Sequence, residues 1–183
     1  MSSPIEWLRV TLKKFVNKSD KQGYLYFRSR RQLRNEILAY YATHPTADKE
    51  ISEALLYLKK HFHVTPYPYP FIDKYKVTDI AIDTDESEQS YYTYPDGKRL
   101  FIKRGADGER AQALVNQLLI EQDPLSPHRY MGDGYELGAD DVLADVGSAE
   151  GFLALQYVDK VKHVYLFECD PVWLEALEKT FAP

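Results

Sequence analysis

Asp140-Asp141-Val142-Leu143-Ala144-Asp145-Val146-Gly147-Ser148-Ala149-Glu150-Gly151-Phe152-Leu153-Ala154-Leu155 decides the fold of this chain. An apolar run enters a loop of small residues and leaves as a helix. A second apolar run, His163-Val164-Tyr165-Leu166-Phe167, follows and ends in Glu168. Strand, loop, helix and strand in that order form a parallel unit of the doubly wound kind, because parallel neighbours need a long crossover. Both runs are almost continuously apolar, the pattern of strands covered on both faces.

The loop also carries chemistry. Glu168 stands 21 residues beyond Gly147. An acidic residue at about that distance, roughly 20 residues on, reaches the tip of the neighbouring strand, where its carboxylate accepts hydrogen bonds from both hydroxyls of a nucleoside ribose. A dinucleotide loop would press backbone N–H groups against a pyrophosphate through Gly-x-Gly-x-x-Gly. Here the pattern is Asp-x-Gly-x-x-x-Gly, with Asp145 ahead of the turn and Glu150 inside it. Each carboxylate would repel a diphosphate about 4 Å away by more than about 1 kcal/mol in a partly shielded site. A ligand bearing an ammonium and a sulfonium would be attracted instead, and S-adenosylmethionine bears both, with a ribose for Glu168. The candidate cofactor-binding residues are therefore Asp145, Gly147, Ser148, Glu150, Gly151 and Glu168. Gly147 permits close approach of the methionine portion, and the helix beginning near Gly151 offers N–H groups to its carboxylate. A dinucleotide-binding module is the weaker alternative that the loop carboxylates disfavour.

The rest of the chain supplies a setting for this unit. Its 183 residues are 44% hydrophobic and 28% charged, the composition of a globular protein of one domain or two small ones. A single cysteine, Cys169, excludes an internal disulfide and a cysteine cluster for zinc or iron–sulfur chemistry, and fits a reducing compartment. No segment reaches the roughly 18 apolar residues of a membrane span, and no secretory leader pattern opens the chain, so a cytoplasmic location is expected. A net charge of −5 argues against nucleic acid as the main partner. The charge is uneven: residues 1–63 sum to +6 and residues 64–183 to −11. A basic front could dock on an acidic partner or anionic surface, but solvated faces of amphipathic helices account for it equally.

Three organisational blocks follow: a helical module over 1–63, a connector with a hairpin and a helix over 64–134, and the cofactor-binding segment over 135–183. Ile5, Leu8, Leu12, Phe15 and Val16 recur at helical spacing; Leu33, Ile37, Tyr40 and Tyr41 make a second face, and Ile51, Leu55, Leu58 and Phe62 a third. Thr43-His44-Pro45 separates the second helix from the third. Proline at alternate positions from Pro66 to Pro70 predicts an extended connector. Alternation over Val77–Asp83 predicts a strand. Pro95-Asp96-Gly97 between Tyr91–Tyr94 and Leu100–Lys103 predicts a hairpin, completing a three-stranded antiparallel element. Ala111, Leu114, Val115, Leu118 and Leu119 mark a helix that stops before Pro124.

Other reactive side chains carry less. His128, beside a proline turn, is a candidate general base, although a lone histidine more often serves structure. Cys169 beside an acidic residue has its thiolate disfavoured. His61 and His63 lack the carboxylates of a metal site. The 15 tyrosines could stack on a sugar, but such residues usually cover apolar surface while keeping the hydroxyl wet.

Asp145-Val-Gly-Ser-Ala-Glu-Gly-Phe152 followed by Val164-Tyr-Leu-Phe-Glu-Cys-Asp-Pro171 resembles the first two motifs of class I S-adenosylmethionine-dependent methyltransferases of the FkbM type. Ser126-Pro127-His128-Arg129-Tyr130 upstream and Trp173 to Phe181 downstream are similar to a bacterial branch of that family. The resemblance spans residues 126–181. It implies O-methylation of a hydroxyl, often on a sugar or glycan, with the cofactor held by the glycine loop and by Glu168. Cys169 stands where the family usually has proline. The family's domain resembles a seven-stranded sheet, yet 49 residues follow Gly134. The expected fold is thus α/β: a helical and β-hairpin N-terminal region followed by the start of a Rossmann-like doubly wound methyltransferase sheet, its C-terminal strands missing. A fragment of this kind is expected to be inactive alone. The competing expectation is a non-enzymatic assembly module that forms a homodimer through exposed strands.

Overall fold

The computed structural model describes residues 18–62, 65–132 and 134–182, with side chains from residue 28 onward. The chain divides into two compact units, Met1–Pro70 and Phe71–Pro183, where the sequence suggested boundaries near 63 and 134. The helix expected over Ile5–Val16 lies outside the described residues.

In the first unit, helix α1 spans Lys18–Thr43 and helix α2 spans Lys49–Lys60. They are separated by the break read from Thr43-His44-Pro45. Asp48 caps α2, its carboxylate accepting the Ile51 N–H at 2.9 Å and satisfying one of the orphan donors of the first turn. At the other end the Arg34 guanidinium donates to the carbonyls of Leu58 (2.7 Å) and Lys59 (3.3 Å), so a side chain of α1 closes the last turn of α2. The apolar faces are narrower than the spacing suggested. Ile37 and Tyr41 are half-buried, but Leu33 and Tyr40 are exposed, and Phe62 falls beyond α2 and points to solvent.

Two turns of 3₁₀ helix follow, Pro70–Lys74, which starts on the last residue of the first unit, and Val77–Asp79 in the second. The latter turn overturns the strand expected over Val77–Asp83; only β1, Asp83–Thr84, is extended and paired. The cause is local and tertiary at once. The Ile80 N–H turns back to the Val77 carbonyl at 3.2 Å, and the Gln112 side chain donates to the Ile80 carbonyl at 2.8 Å, taking the acceptor a neighbouring strand would have used. Strands β2 (Ser90–Thr93) and β3 (Arg99–Phe101) form the expected hairpin, and the sheet runs β1-β2-β3 antiparallel. Gly97 supplies φ +88° at the turn while its N–H reaches the Tyr94 carbonyl at 2.9 Å. Helix α3, Gly108–Glu121, ends before Pro124 as read from the sequence.

Strands β4 (Val142–Val146) and β5 (His163–Phe167) pair in parallel, one-to-one from Val142 opposite His163 to Val146 opposite Phe167. Helix α4, Phe152–Tyr157, crosses between them, and α5, Pro171–Thr180, follows β5 with Asp170 capping the Val172 N–H at 3.1 Å. Ile80, Leu100, Ile102, Ala111 and Val115 form one buried cluster with Phe152 and Leu155, so the hairpin, α3 and α4 share a core. The Thr180 hydroxyl accepts the Phe101 N–H at 3.0 Å and ties α5 to the hairpin. Burial of the parallel pair on both faces is not what the structure has. Leu143 is buried and Val164 and Leu166 are half-buried, whereas Val142, Val146, Tyr165 and Phe167 are all more than half exposed. The two strands alternate like a sheet with one covered face. Among the described residues no helix is long and apolar enough to cross a membrane.

Candidate functional site

The site is built where β4 runs into α4. After Val146 the chain turns through Gly147 at φ +77°, and the N–H groups of Gly147 and Ser148 both donate to the Phe167 carbonyl, at 2.7 and 3.2 Å. Ser148 is buried; its hydroxyl donates to the Asp145 carbonyl at 2.8 Å and accepts the Phe167 N–H at 3.1 Å. That side chain stitches the loop to the end of β5. Ala149 sits at φ +46°, and Gly151 at φ +74° forms the N-cap of α4. A methyl group on Gly151 would lie 2.8 Å from both Leu177 Cδ2 and Phe181 Cε2, which is why a close helix crossing needs glycine there. On Gly147 it would meet nothing within 4 Å, so this turn faces open space.

Three carboxylates and a tyrosine surround the loop and behave differently. Glu168 accepts the Asp170 N–H through Oε1 at 2.7 Å and the Ala149 N–H through Oε2 at 2.8 Å. These backbone donors hold its carboxyl below the ordinary range, so it is ionised at neutral pH. Asp145 is pushed up by burial, with the Ala154 N–H in the first turn of α4 pulling the other way. The helix start that the sequence offered to a ligand carboxylate is therefore partly occupied by Asp145. Glu150 is pushed up by burial and, less strongly, by the charges of Glu121 and Asp145, with its own backbone N–H and, least of all, Lys103 opposing. Tyr130 is pushed up by burial first, then by the charge of Glu121, by a hydrogen bond to the same group, and by Glu150 and Asp145.

Sequence reasoning thus placed Asp145, Gly147, Ser148, Glu150, Gly151 and Glu168 on one loop and its neighbouring strand tip, and the structure brings them together. It missed Glu121, Tyr130, Lys103 and Tyr94. Tyr94 lies edge-on to Phe152 at 6.0 Å, with a buried hydroxyl that finds no hydrogen-bond partner among the described residues and that burial holds protonated. Tyr130 belongs to the motif read upstream, but no spacing rule links Glu121, the last residue of α3, to a loop 29 residues on.

A second carboxylate, Asp123, is buried away from solvent and accepts from Lys74, the Tyr75 hydroxyl and the Leu125 N–H (2.8 Å). Its carbonyl accepts the Ser126 N–H at 2.8 Å, and Ser126 Oγ accepts the His128 N–H at 3.2 Å. Asp123 therefore shapes the turn that carries His128, while the Tyr130 N–H is held by Gln122 Oε1 at 3.1 Å. His61 stacks on Tyr57 with ring centroids 3.7 Å apart and shares a hydrogen bond with the Tyr57 carbonyl; His63 lies outside the described residues. Cys169 is exposed.

Two carboxylates whose proton affinity is raised by burial gain most from a neighbouring positive charge and lose most from a negative one. Beyond the Asp170 and Ala149 N–H groups, the backbone and thiol of Cys169 also hydrogen-bond the Glu168 carboxylate. Comparisons of the chain with family models, curated proteins and solved structures found no match.

Proposed function

We propose that the chain carries the cofactor-binding part of an S-adenosylmethionine-dependent O-methyltransferase of the FkbM type, built on a Rossmann-like sheet, acting in the cytoplasm on a hydroxyl of a small molecule or glycan. One observation carries the reading: Asp145 and Glu150, both pushed up by burial, share a glycine loop with the ionised Glu168 at the tip of the paired parallel strand. This charge pattern suits a cationic nucleoside and repels a pyrophosphate. The fit is supported by Gly147, whose open side leaves the loop accessible to a ligand. S-adenosylmethionine would supply an electrophilic methyl group. Asp145 and Glu150 would hold its ammonium end, Glu168 its ribose hydroxyls, and the rate would come mainly from orienting the acceptor oxygen toward that methyl. Isothermal titration with S-adenosylhomocysteine on the wild-type chain, Asp145→Asn and Glu150→Gln tests the assignment. Binding that weakens in both variants supports it; absent binding, or unchanged affinity in both, overturns it.

A second reading has its own observation. Val142, Val146, Tyr165 and Phe167 form an apolar sheet face more than half exposed at each residue, beside strand edges that no other strand pairs among the described residues. An assembly module would use them to dimerise. Light scattering separates the two: a concentration-dependent dimer abolished by Val146→Thr with Phe167→Thr, without nucleoside affinity, favours assembly over catalysis.

A further inference from the structure

We infer that the outer edge of β5 is a self-pairing surface, to which a second copy of this chain adds its own β5, antiparallel, about a two-fold axis through Tyr165. This gives the assembly reading above a definite register and does not depend on the nucleoside reading. The backbone decides which groups are on offer. Phe167 turns both of its groups toward the glycine loop: its N–H donates to Ser148 Oγ at 3.1 Å, and its carbonyl accepts the Gly147 and Ser148 N–H groups at 2.7 and 3.2 Å. Successive residues of a strand direct these groups to opposite edges. His163 and Tyr165 therefore face β4, while Val164 and Leu166 present N–H and carbonyl outward. Among the described residues β4 is the strand that pairs with β5, and no backbone bond is taken up on the other edge.

That parity selects the register. In an antiparallel pair, residues with outward groups must stand opposite one another to exchange both hydrogen bonds. Val164 opposite Leu166 of the second copy does so, and the two-fold repeats the exchange on the other side of Tyr165. The same register sets Tyr165 opposite itself and His163 opposite Phe167, as non-hydrogen-bonded pairs whose side chains approach most closely. His163 and Tyr165 already touch edge-on, with ring centroids 4.5 Å apart, and Tyr165 and Phe167 are more than half exposed. Each copy thus covers aromatic surface that the other leaves open. No charge stands in the way: His163-Val164-Tyr165-Leu166-Phe167 contains none of the lysine, carboxylate or proline that commonly blunts an edge. The outer edge of β4 lacks this fit, because the same operation about Ala144 would set the Asp145 carboxylate opposite Leu143, which is buried. A two-fold axis closes the assembly as a dimer with the continuous sheet β4-β5-β5-β4.

Cross-linking reads the axis directly. In a Cys169→Ser background, Tyr165→Cys places two thiols on facing residues whose Cα atoms stand about 4.5 Å apart, within the span a disulfide bridges. Val164→Cys faces Leu166 instead of itself and is the control. With oxidised glutathione the expected result is a covalent dimer of Tyr165→Cys, forming at least about tenfold faster than any from Val164→Cys. Sedimentation velocity over a concentration series gives the second readout. Wild type should associate, Tyr165→Lys and Tyr165→Glu should each remain monomeric, and their equimolar mixture should recover the dimer, because the axis sets opposite charges face to face. Tyr165 is exposed, so circular dichroism of both variants should match wild type. A wild-type chain that sediments as a monomer throughout overturns the inference and the assembly reading together. A dimer that Tyr165→Lys leaves intact, or that Val164→Cys cross-links as readily as Tyr165→Cys, overturns this register and leaves assembly through the apolar face standing. The affinity for S-adenosylhomocysteine is decided separately from either result.

Discussion

Replacing Gly151 with alanine tests how the glycine loop, α4 and α5 are fitted together. Two costs act there. The backbone is left-handed at φ +74°, which costs an alanine about 1–2 kcal/mol. The new methyl would also stand 2.8 Å from Leu177 Cδ2 and 2.8 Å from Phe181 Cε2, so both side chains must shift. Leu177 is buried and Phe181 packs against the core, and crowding of this kind costs about 1–3 kcal/mol. Loss of chain entropy in the unfolded state returns about 0.4–1 kcal/mol. The net expectation is a loss of about 2–4 kcal/mol. Gly147→Ala is the internal control, because it has φ +77° but open space around the new methyl; it should lose only about 1 kcal/mol. Urea unfolding followed by circular dichroism measures both. In a Leu177→Ala background the Gly151→Ala penalty should shrink, since one of the two colliding groups is gone. Equal losses for Gly147→Ala and Gly151→Ala, or strict additivity with Leu177→Ala, would refute the packing of α5 over the loop.

Three further outcomes follow from the same geometry. Glu150 has a raised folded pKa, so its contribution to stability is present below its ordinary value of 4.5 and is lost as pH rises through the folded value; Glu150→Gln should be more stable than wild type at pH 7 by on the order of 1 kcal/mol, with the gain vanishing toward pH 4 in thermal melts. Asp123 has the opposite sign: burial raises its carboxyl, but Lys74, Tyr75 and the Leu125 N–H outweigh it and hold it below 3.8. Its contribution is present above pH 3.8 and is lost as pH falls through the folded value, so Asp123→Asn should lose about 2 kcal/mol at pH 7 and flatten the acid limb of the stability profile. Thr180→Val removes the acceptor of the Phe101 N–H and should cost about 1–3 kcal/mol, with faster amide exchange at Phe101 as its specific signature.

What could be read from the chain itself was local. The hairpin around Pro95-Asp96-Gly97 and the strand, turn and helix around Gly147 declare themselves through turn chemistry and periodicity within a few residues, and both are present. Val77–Asp83 failed because alternation describes side chains while strand pairing depends on where the backbone bonds go, and Gln112 took the Ile80 carbonyl. The apolar runs of β4 and β5 could not reveal which face is covered, since Val146 and Phe167 read the same whether packed or open. The site was legible as residues and not as bonds. Spacing put Glu168 at the strand tip, but its capture of the Ala149 N–H depends on a left-handed alanine that no spacing announces. Glu121 and Tyr130 reach Glu150 only through tertiary packing.

The central claim is that half-buried carboxylates around a glycine bend choose a cationic nucleoside over a phosphorylated one. A crystal of the chain soaked with equal concentrations of S-adenosylmethionine and NAD tests it most directly. The account predicts density for S-adenosylmethionine alone, its ammonium beside Asp145 and Glu150 and its ribose at Glu168. A pyrophosphate seated on the Gly147–Gly151 turn would contradict it.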